Sequence, residues 1–344
     1  MQRSFLLFFL SLGFLFFSCK RQNDREVTHS FYFWRTIFNM QEEEQADLRK
    51  QGVTRLYVRL FDVAYEPVAK AAVPEGDIRF ETLVDTGLHV VPMVYITNEA
   101  LLQTSDSLME QLSIRIASRI RQSMGAVKGQ IPEEIQTDCD WTESTRIRYF
   151  RLLTFLRQSF GPSITLSATI RLHQVKYADR TGVPPVDRGM LMFYNMGKLE
   201  LEQGPNSIYD KQTASAYLVN FSSYPLALDV ALPVFSWAVV FRDGKVAALV
   251  HQVEAGDMNI PGLEALDKTH YRVTASVKLK NIELQAGETI RLEDPGTTGC
   301  LEAASQISPF LKAKKFSVAL FHLKKNKYND YEKQDFEKVF HCFN

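Results

Sequence analysis

The chain has 344 residues, with 40 basic and 40 acidic side chains and a formal net charge of zero, so no overall field draws it to nucleic acid. Aromatic residues are 12% of the chain, a little rich for a globular protein and partly supplied by the first segment. The length suits one large barrel or two smaller domains.

Arg3 supplies a positive charge, and residues 5–17 are almost wholly apolar, too short a run for a span of about twenty residues. Ser18 then precedes Cys19. Residues 1–18 have the pattern of a bacterial lipoprotein signal peptide, with Cys19 as the lipidated first residue of the mature chain. Residues 19–29 read as a polar tether. Several acyl chains on one cysteine give stable anchoring, so the membrane is an expected partner and the cell envelope the expected location, periplasm-facing or at the cell surface. Cys139, Cys300 and Cys342 are odd in number and widely spaced, which is not the pattern of a disulfide framework or a zinc site. One bridge between two of them fits an oxidising compartment.

Strand and helix patterns then alternate. Residues 30–38 are apolar and aromatic, as in a first strand, and residues 41–51 are polar and helix-forming. Residues 54–61 alternate and end at Asp62. Residues 89–96 form a buried-type run that ends near Asn98 and Glu99. Residues 105–124 carry Leu108, Leu112, Ile116 and Ile120 at helical spacing. Residues 134–141 read as a strand that stops on Asp138 and Asp140, and a helical pattern from Thr142 to about Phe160 follows, with Tyr149, Leu152, Leu153 and Leu156 on one face. Further strands are expected at 164–172, 188–194, 226–235 and 315–323, with a helix at 207–222. This rhythm predicts an α/β fold, a (β/α)8 TIM barrel over residues 30–344. The Asp243-Gly244 turn and strand patterns at 271–277 and 289–292 break the rhythm, so residues 237–299 are expected as a β-rich insertion after the seventh strand. Such an insertion either shapes the cleft or simply covers the barrel.

Side chains alternate along a strand, so Asp138 and Asp140 should point the same way, at the strand end where α/β barrels keep their chemistry. The plainer alternative is that one caps a helix and the other is solvated. Cys139 between them should face the opposite side and pack. Hydrolysis of a glycosidic bond needs two carboxyls, one of them protonated near neutral pH. Like-charge repulsion between Asp138 and Asp140 would raise one pKa, and Asp62, Glu99 and Glu143 are candidates for a further carboxyl. His173, Tyr194, Asn195 and His322 fall at strand ends as hydrogen-bonding groups. Trp34, Trp141 and Trp237 offer faces that suit sugars, with core packing as the competing use of each ring. Asp138, Asp140 and His173 could together hold a divalent ion, as in a polysaccharide deacetylase-like site. The sequence lacks the ligand spacing of a metal site, however, so none is expected, and no cofactor is implied.

The run Asp138-Cys139-Asp140-Trp141, with Tyr149-Phe150-Arg151-Leu152-Leu153 and Leu156-Arg157 after it, resembles the fourth strand and helix of glycoside hydrolase family 18, the chitinase-like barrels. Met192-Phe193-Tyr194-Asn195 is similar to that family's sixth strand, and Leu232-Pro233-Val234-Phe235 to its seventh. Together these motifs cover about a fifth of the chain. The chain also resembles barrel-containing lipoproteins of Bacteroidetes type. The resemblance implies a sugar-shaped cleft and a substrate-assisted hydrolysis, in which a Glu donates the proton and the neighbouring Asp orients an N-acetyl group. The family motif is Asp-x-x-Asp-x-Asp-x-Glu. Aligning its last two aspartates on Asp138 and Asp140 places Ile135, or with a slip Glu134, at the first Asp and Thr142 at the acid, with Glu143 one residue further on. The expected role is therefore recognition or cleavage of a glycan. A glycan-binding protein that has lost the acid and a purely structural lipoprotein are the alternatives.

Overall fold

A computed structural model describes residues 25–127, 130–219, 221–323 and 333–344. The expected signal peptide, Cys19 and most of the expected tether lie outside the described residues.

Eight parallel strands close into a barrel. They are β1 (Glu26–Phe33), β2 (Val53–Glu66), β3 (His89–Ile96), β4 (Glu134–Asp138), β5 (Thr165–Arg171), β6 (Arg188–Met192), β7 (Leu228–Pro233) and β8 (Lys315–Phe321). Pairing of β1 with both β8 and β2 closes the ring. The expected tether enters the sheet at Glu26, four residues before the apolar run that marks the first strand. Glu26 is exposed and Thr28 and His29 are only part-buried, and backbone pairing of Glu26 through His29 with Lys315 through Val318 holds them, so hydropathy does not reveal the strand.

Helices α1 (Glu42–Lys50), α2 (Met109–Met124), α3 (Arg146–Phe160), α4 (Leu172–Lys176), α5 (Lys211–Leu218), α6 (Gly296–Ile307) and α7 (Lys333–His341) follow most of the strands. After β2 the chain instead folds back as the antiparallel strand Ala71–Glu75. Helix α1 opens on Glu42, Glu43 and Glu44 and closes on Arg49 and Lys50, which complements its dipole. Helix α2 buries Leu112, Ile116, Ile120 and Met124, and α3 buries Tyr149, Leu152, Leu153 and Leu156, as their spacing predicts. Among the described residues no helix is long and apolar enough to cross a membrane.

Apolar side chains form separate cores. A large one fills the space between strands and helices and includes Cys139 and Trp141. A second fills the barrel itself with Tyr32, Tyr57, Met93, Met190, Met192 and Ala319, so the lumen is packed rather than open. Between β7 and α6 lies an antiparallel five-stranded sheet, whose central strand Thr289–Glu293 pairs with Trp237–Arg242 and His270–Val273. This sheet has its own core around Val240, Val250, Tyr271 and Ile290.

Candidate functional site

The inner faces of β4 and β5 carry a polar row that climbs from the floor of the barrel to its mouth. Strand alternation turns Glu134, Gln136 and Asp138 inward, and turns Thr137 outward, where its hydroxyl meets the Tyr149 hydroxyl of α3 at 2.7 Å. The same alternation on β5 presents Ser167, Thr169 and Arg171. These residues donate along the β4 row: Ser167 Oγ to Glu134 Oε1 at 2.6 Å, and Thr169 Oγ1 to Asp138 Oδ1 at 2.5 Å. Arg171 completes the row by gripping Asp140 through Nε and Nη2, the second contact at 3.0 Å. The loop after β4 is pinned from both sides. Asn98 Nδ2 donates to the Asp140 carbonyl at 2.6 Å, and Gln174 Nε2 to the Trp141 carbonyl at 3.0 Å.

Burial decides the protonation of Asp138. Its carboxyl is 4% exposed, and loss of solvent pushes its pKa up to about 6, against the lowering effect of the Arg171 charge. Asp140 adds to the rise by like-charge repulsion. Tyr194 is buried nearby, with its pKa raised by burial and by both aspartates. Its hydroxyl donates to Met192 Sδ at 2.9 Å, and its ring stacks on Phe321 at 5.2 Å. Burial lowers the pKa of His173, while Asp140 raises it.

Three adjoining lobes run across the mouth. Asp140, Arg171, His173, Tyr194 and Asn195 line the first. Asn195 also lines the second, together with Trp34, Phe235, Trp237, Phe321 and His322. Trp34 in turn lines the third, about 660 Å3 in volume, with Arg35, Arg59, Asp62 and Tyr95. The shared residues join the lobes into one cleft. Asn195 holds its place with φ of 53°, a left-handed conformation that asparagine tolerates better than most residues. Close by, a Cβ at Gly197 would lie 2.6 Å from the Ser207 Cα, so the loop after β6 can approach this closely only with glycine there. The insertion takes part in the cleft. Its first residue, Trp237, donates from Nε1 to the buried Glu293 at 2.6 Å, and Glu293 also accepts from Ser207 and Arg291.

Two expected site residues lie elsewhere. Trp141 is fully buried beside α3, stacked on Tyr149 at 5.2 Å, and its Nε1 donates to the Thr181 carbonyl at 2.8 Å. It forms part of the wall behind the site and does not face a ligand. Glu143 is exposed on the turn before α3 and pairs with Arg180 at 3.3 Å, away from the cleft. The strand ends at Asp138, so alternation no longer aims the residues beyond it. Thr142, at the position of the resembled family's acid, is exposed, with its hydroxyl 2.8 Å from that of Ser144. Glu99 sits exposed in the first turn of the short helix Asn98–Gln103 and lines none of the lobes. Asp62 does line the third lobe, tied to Arg59. Asp138, Asp140 and His173 do not converge on a metal position, and no cluster of three such ligands occurs among the described residues.

Sequence reasoning missed Arg171, Thr169, Tyr95, Phe235 and Phe321. Arg171 had a signal in the period-two run Ser167, Thr169, Arg171 opposite the acidic strand.

No family model matches the chain, and no curated protein matches it. Solved structures do. The spore cortex-lytic enzyme SleL of Bacillus cereus superposes with a TM-score of 0.53 at 15% identity, over 93% of this chain and 75% of that one. A chitinase from Chromobacterium violaceum gives 0.56 at 9% identity, over 92% and 98%. A glycoside hydrolase family 18 N-acetylglucosaminidase from Paenibacillus barengoltzii gives 0.53 at 10% identity, over 92% and 100%. The fold is a glycoside hydrolase family 18-like TIM barrel. At these identities the likeness carries the fold alone, so any activity has to be argued from the side chains in the mouth.

Proposed function

We propose that this family 18-like barrel is a lipid-anchored protein of the cell envelope that binds a glycan across its mouth and leaves it uncleaved. The observation that carries this reading is the joined cleft, walled by Trp34, Phe235, Trp237 and Phe321, together with the state of the acids beside it. Aromatic faces suit the CH surfaces of sugars, and Asn195, His173 and His322 supply hydrogen bonds. Arg171 holds Asp140 as an ion pair, and a rim threonine stands where the resembled family has its acid. The names of the similar structures favour a glycan containing N-acetylglucosamine. The apolar leader ending at Ser18-Cys19 supports the anchor.

One observation favours hydrolysis as the second reading. Asp138 titrates near 6, the range suited to a general acid. It would act with Asp140 and Tyr194 at the cleft wall. The two readings separate on one panel of envelope and dietary glycans, with binding and release of reducing ends measured for wild type and Asp140→Asn. Binding without new reducing ends is expected. Turnover that disappears in Asp140→Asn would establish a hydrolase, and absence of binding to every glycan would leave a structural role.

A further inference from the structure

The third lobe carries a charge that the rest of the mouth does not need. In the first lobe the Arg171 guanidinium is satisfied by Asp140, and in the third Arg59 is satisfied by Asp62. Arg35 is different. Its guanidinium lies over the Phe33 ring, 4.6 Å from the centroid, and lines the lobe with Trp34, Tyr95 and Arg59. Its Nε is buried and meets no hydrogen-bond acceptor among the described residues. Glu44 is the carboxylate that acts on it electrostatically, and Glu44 already accepts the Gln41 N–H at 2.8 Å as part of the helix α1 cap. Burial lowers the pKa of Arg35, the sign of a cation paying for desolvation without a close partner. With Arg35 and Arg59 positive and Asp62 negative, the ionised groups lining this lobe sum to one positive charge. A part-buried guanidinium on the wall of a cavity, with no ion-pair partner among the described residues, is a prepared half of a charge-assisted hydrogen bond, and its planar fork suits a carboxylate.

We infer that the third lobe selects an acidic glycan, seating the carboxylate of a uronic or lactyl-bearing sugar on Arg35 beside Arg59 while Trp34 carries the sugar face. This rests on the glycan-binding reading of the cleft and names its substrate class. A neutral N-acetylglucosamine oligomer would fill the aromatic second lobe and leave Arg35 unmatched.

The test is calorimetric titration of the soluble domain-bearing full chain, without its acyl groups, in low and moderate salt. The ligands are a neutral N-acetylglucosamine oligomer, an oligomer alternating it with N-acetylmuramic acid, and a uronic acid oligomer of equal length. Wild type should bind one of the two acidic oligomers about tenfold or more tighter than the neutral one, with that preference falling as salt rises. The arm that shows the preference tells lactyl ether from uronate. In Arg35→Gln the ratio of acidic to neutral affinity should fall toward one, and Arg35→Lys should restore part of it. Equal binding of acidic and neutral oligomers by wild type overturns the inference and leaves the glycan reading standing. A preference that survives in a folded Arg35→Gln also overturns it. Failure of all three oligomers to bind sinks the glycan reading and this inference with it. If Arg35→Gln does not fold, the wild-type preference and its salt dependence still decide.

Discussion

The two ends of the barrel both bury charge, and they treat it differently. At the floor, where the strands begin, Asp229 is 1% exposed and accepts from Arg188 Nε at 2.9 Å, Arg188 Nη2 at 2.5 Å and the Ser317 N–H at 2.6 Å. Glu134 accepts from Ser167 at 2.6 Å and from Arg55 at 3.1 Å. Each of these carboxylate oxygens has a donor. At the mouth, Asp138 accepts from Thr169 alone among the described residues, Asp140 is part-exposed, and Arg35 has a buried nitrogen with no acceptor. Polar groups saturated by their neighbours hold a fold together, while groups left short of partners beside a cavity are available to a ligand. The contrast fits the division in these barrels between a stabilising N-terminal face and a functional C-terminal face.

The largest expected effect tests the wall beneath the mouth. Trp141→Ala should lower stability by about 4 kcal/mol in chemical denaturation, the usual cost of deleting a fully buried large ring. A loss under about 1 kcal/mol would mean that the ring is not part of the core. The floor comes next. Asp229→Ala strands the Arg188 guanidinium and should cost about 3 kcal/mol. The matching change at the mouth, Asp140→Ala, should cost within about 1 kcal/mol, because that carboxylate is 41% exposed and its pair is screened by solvent. Equal costs for the two variants would break the comparison.

A pH series sharpens it. The Asp138 pKa is about 6 when folded and near the ordinary 3.8 when unfolded, so the folded state binds this proton more tightly. Its contribution to stability is therefore full below pH ~4 and is lost as pH rises through ~6, by about 2–3 kcal/mol in all. Asp138→Asn should flatten the stability profile between those limits, as read from urea midpoints. A last effect concerns binding. Trp34→Ala, at a part-buried ring shared by two lobes, should weaken glycan affinity about tenfold in calorimetry and move the melting temperature by only a few degrees.

Much of the barrel was legible in the sequence because its signal is patterned. The buried run at β3 is bounded and continuous, the helical stripes of α2 and α3 repeat every 3.6 residues, and the structure follows both. The first half of β1 was hidden because its order comes from backbone pairing with β8. Trp141 and Glu143 were misplaced for a geometric reason. Alternation predicts facing only while the strand lasts, and the chain leaves β4 at Asp138. Arg171 shows the converse. It sits in plain alternation on β5, but its partnership with Asp140 exists only through the register that sets Thr137 beside Ala168. Sequence patterns show faces, and cross-strand neighbours need the sheet.

The central claim is that the mouth holds a glycan without cutting it. The most direct measurement is a single-turnover experiment. Protein in excess is mixed with an end-labelled N-acetylglucosamine oligomer at pH 5 and pH 7, and bound and cleaved label are followed by mass spectrometry over a day. The account predicts bound, full-length oligomer at both pH values. Shortened oligomer at pH 5 that disappears with Asp138→Asn would contradict it and make Asp138 the acid of a working hydrolase.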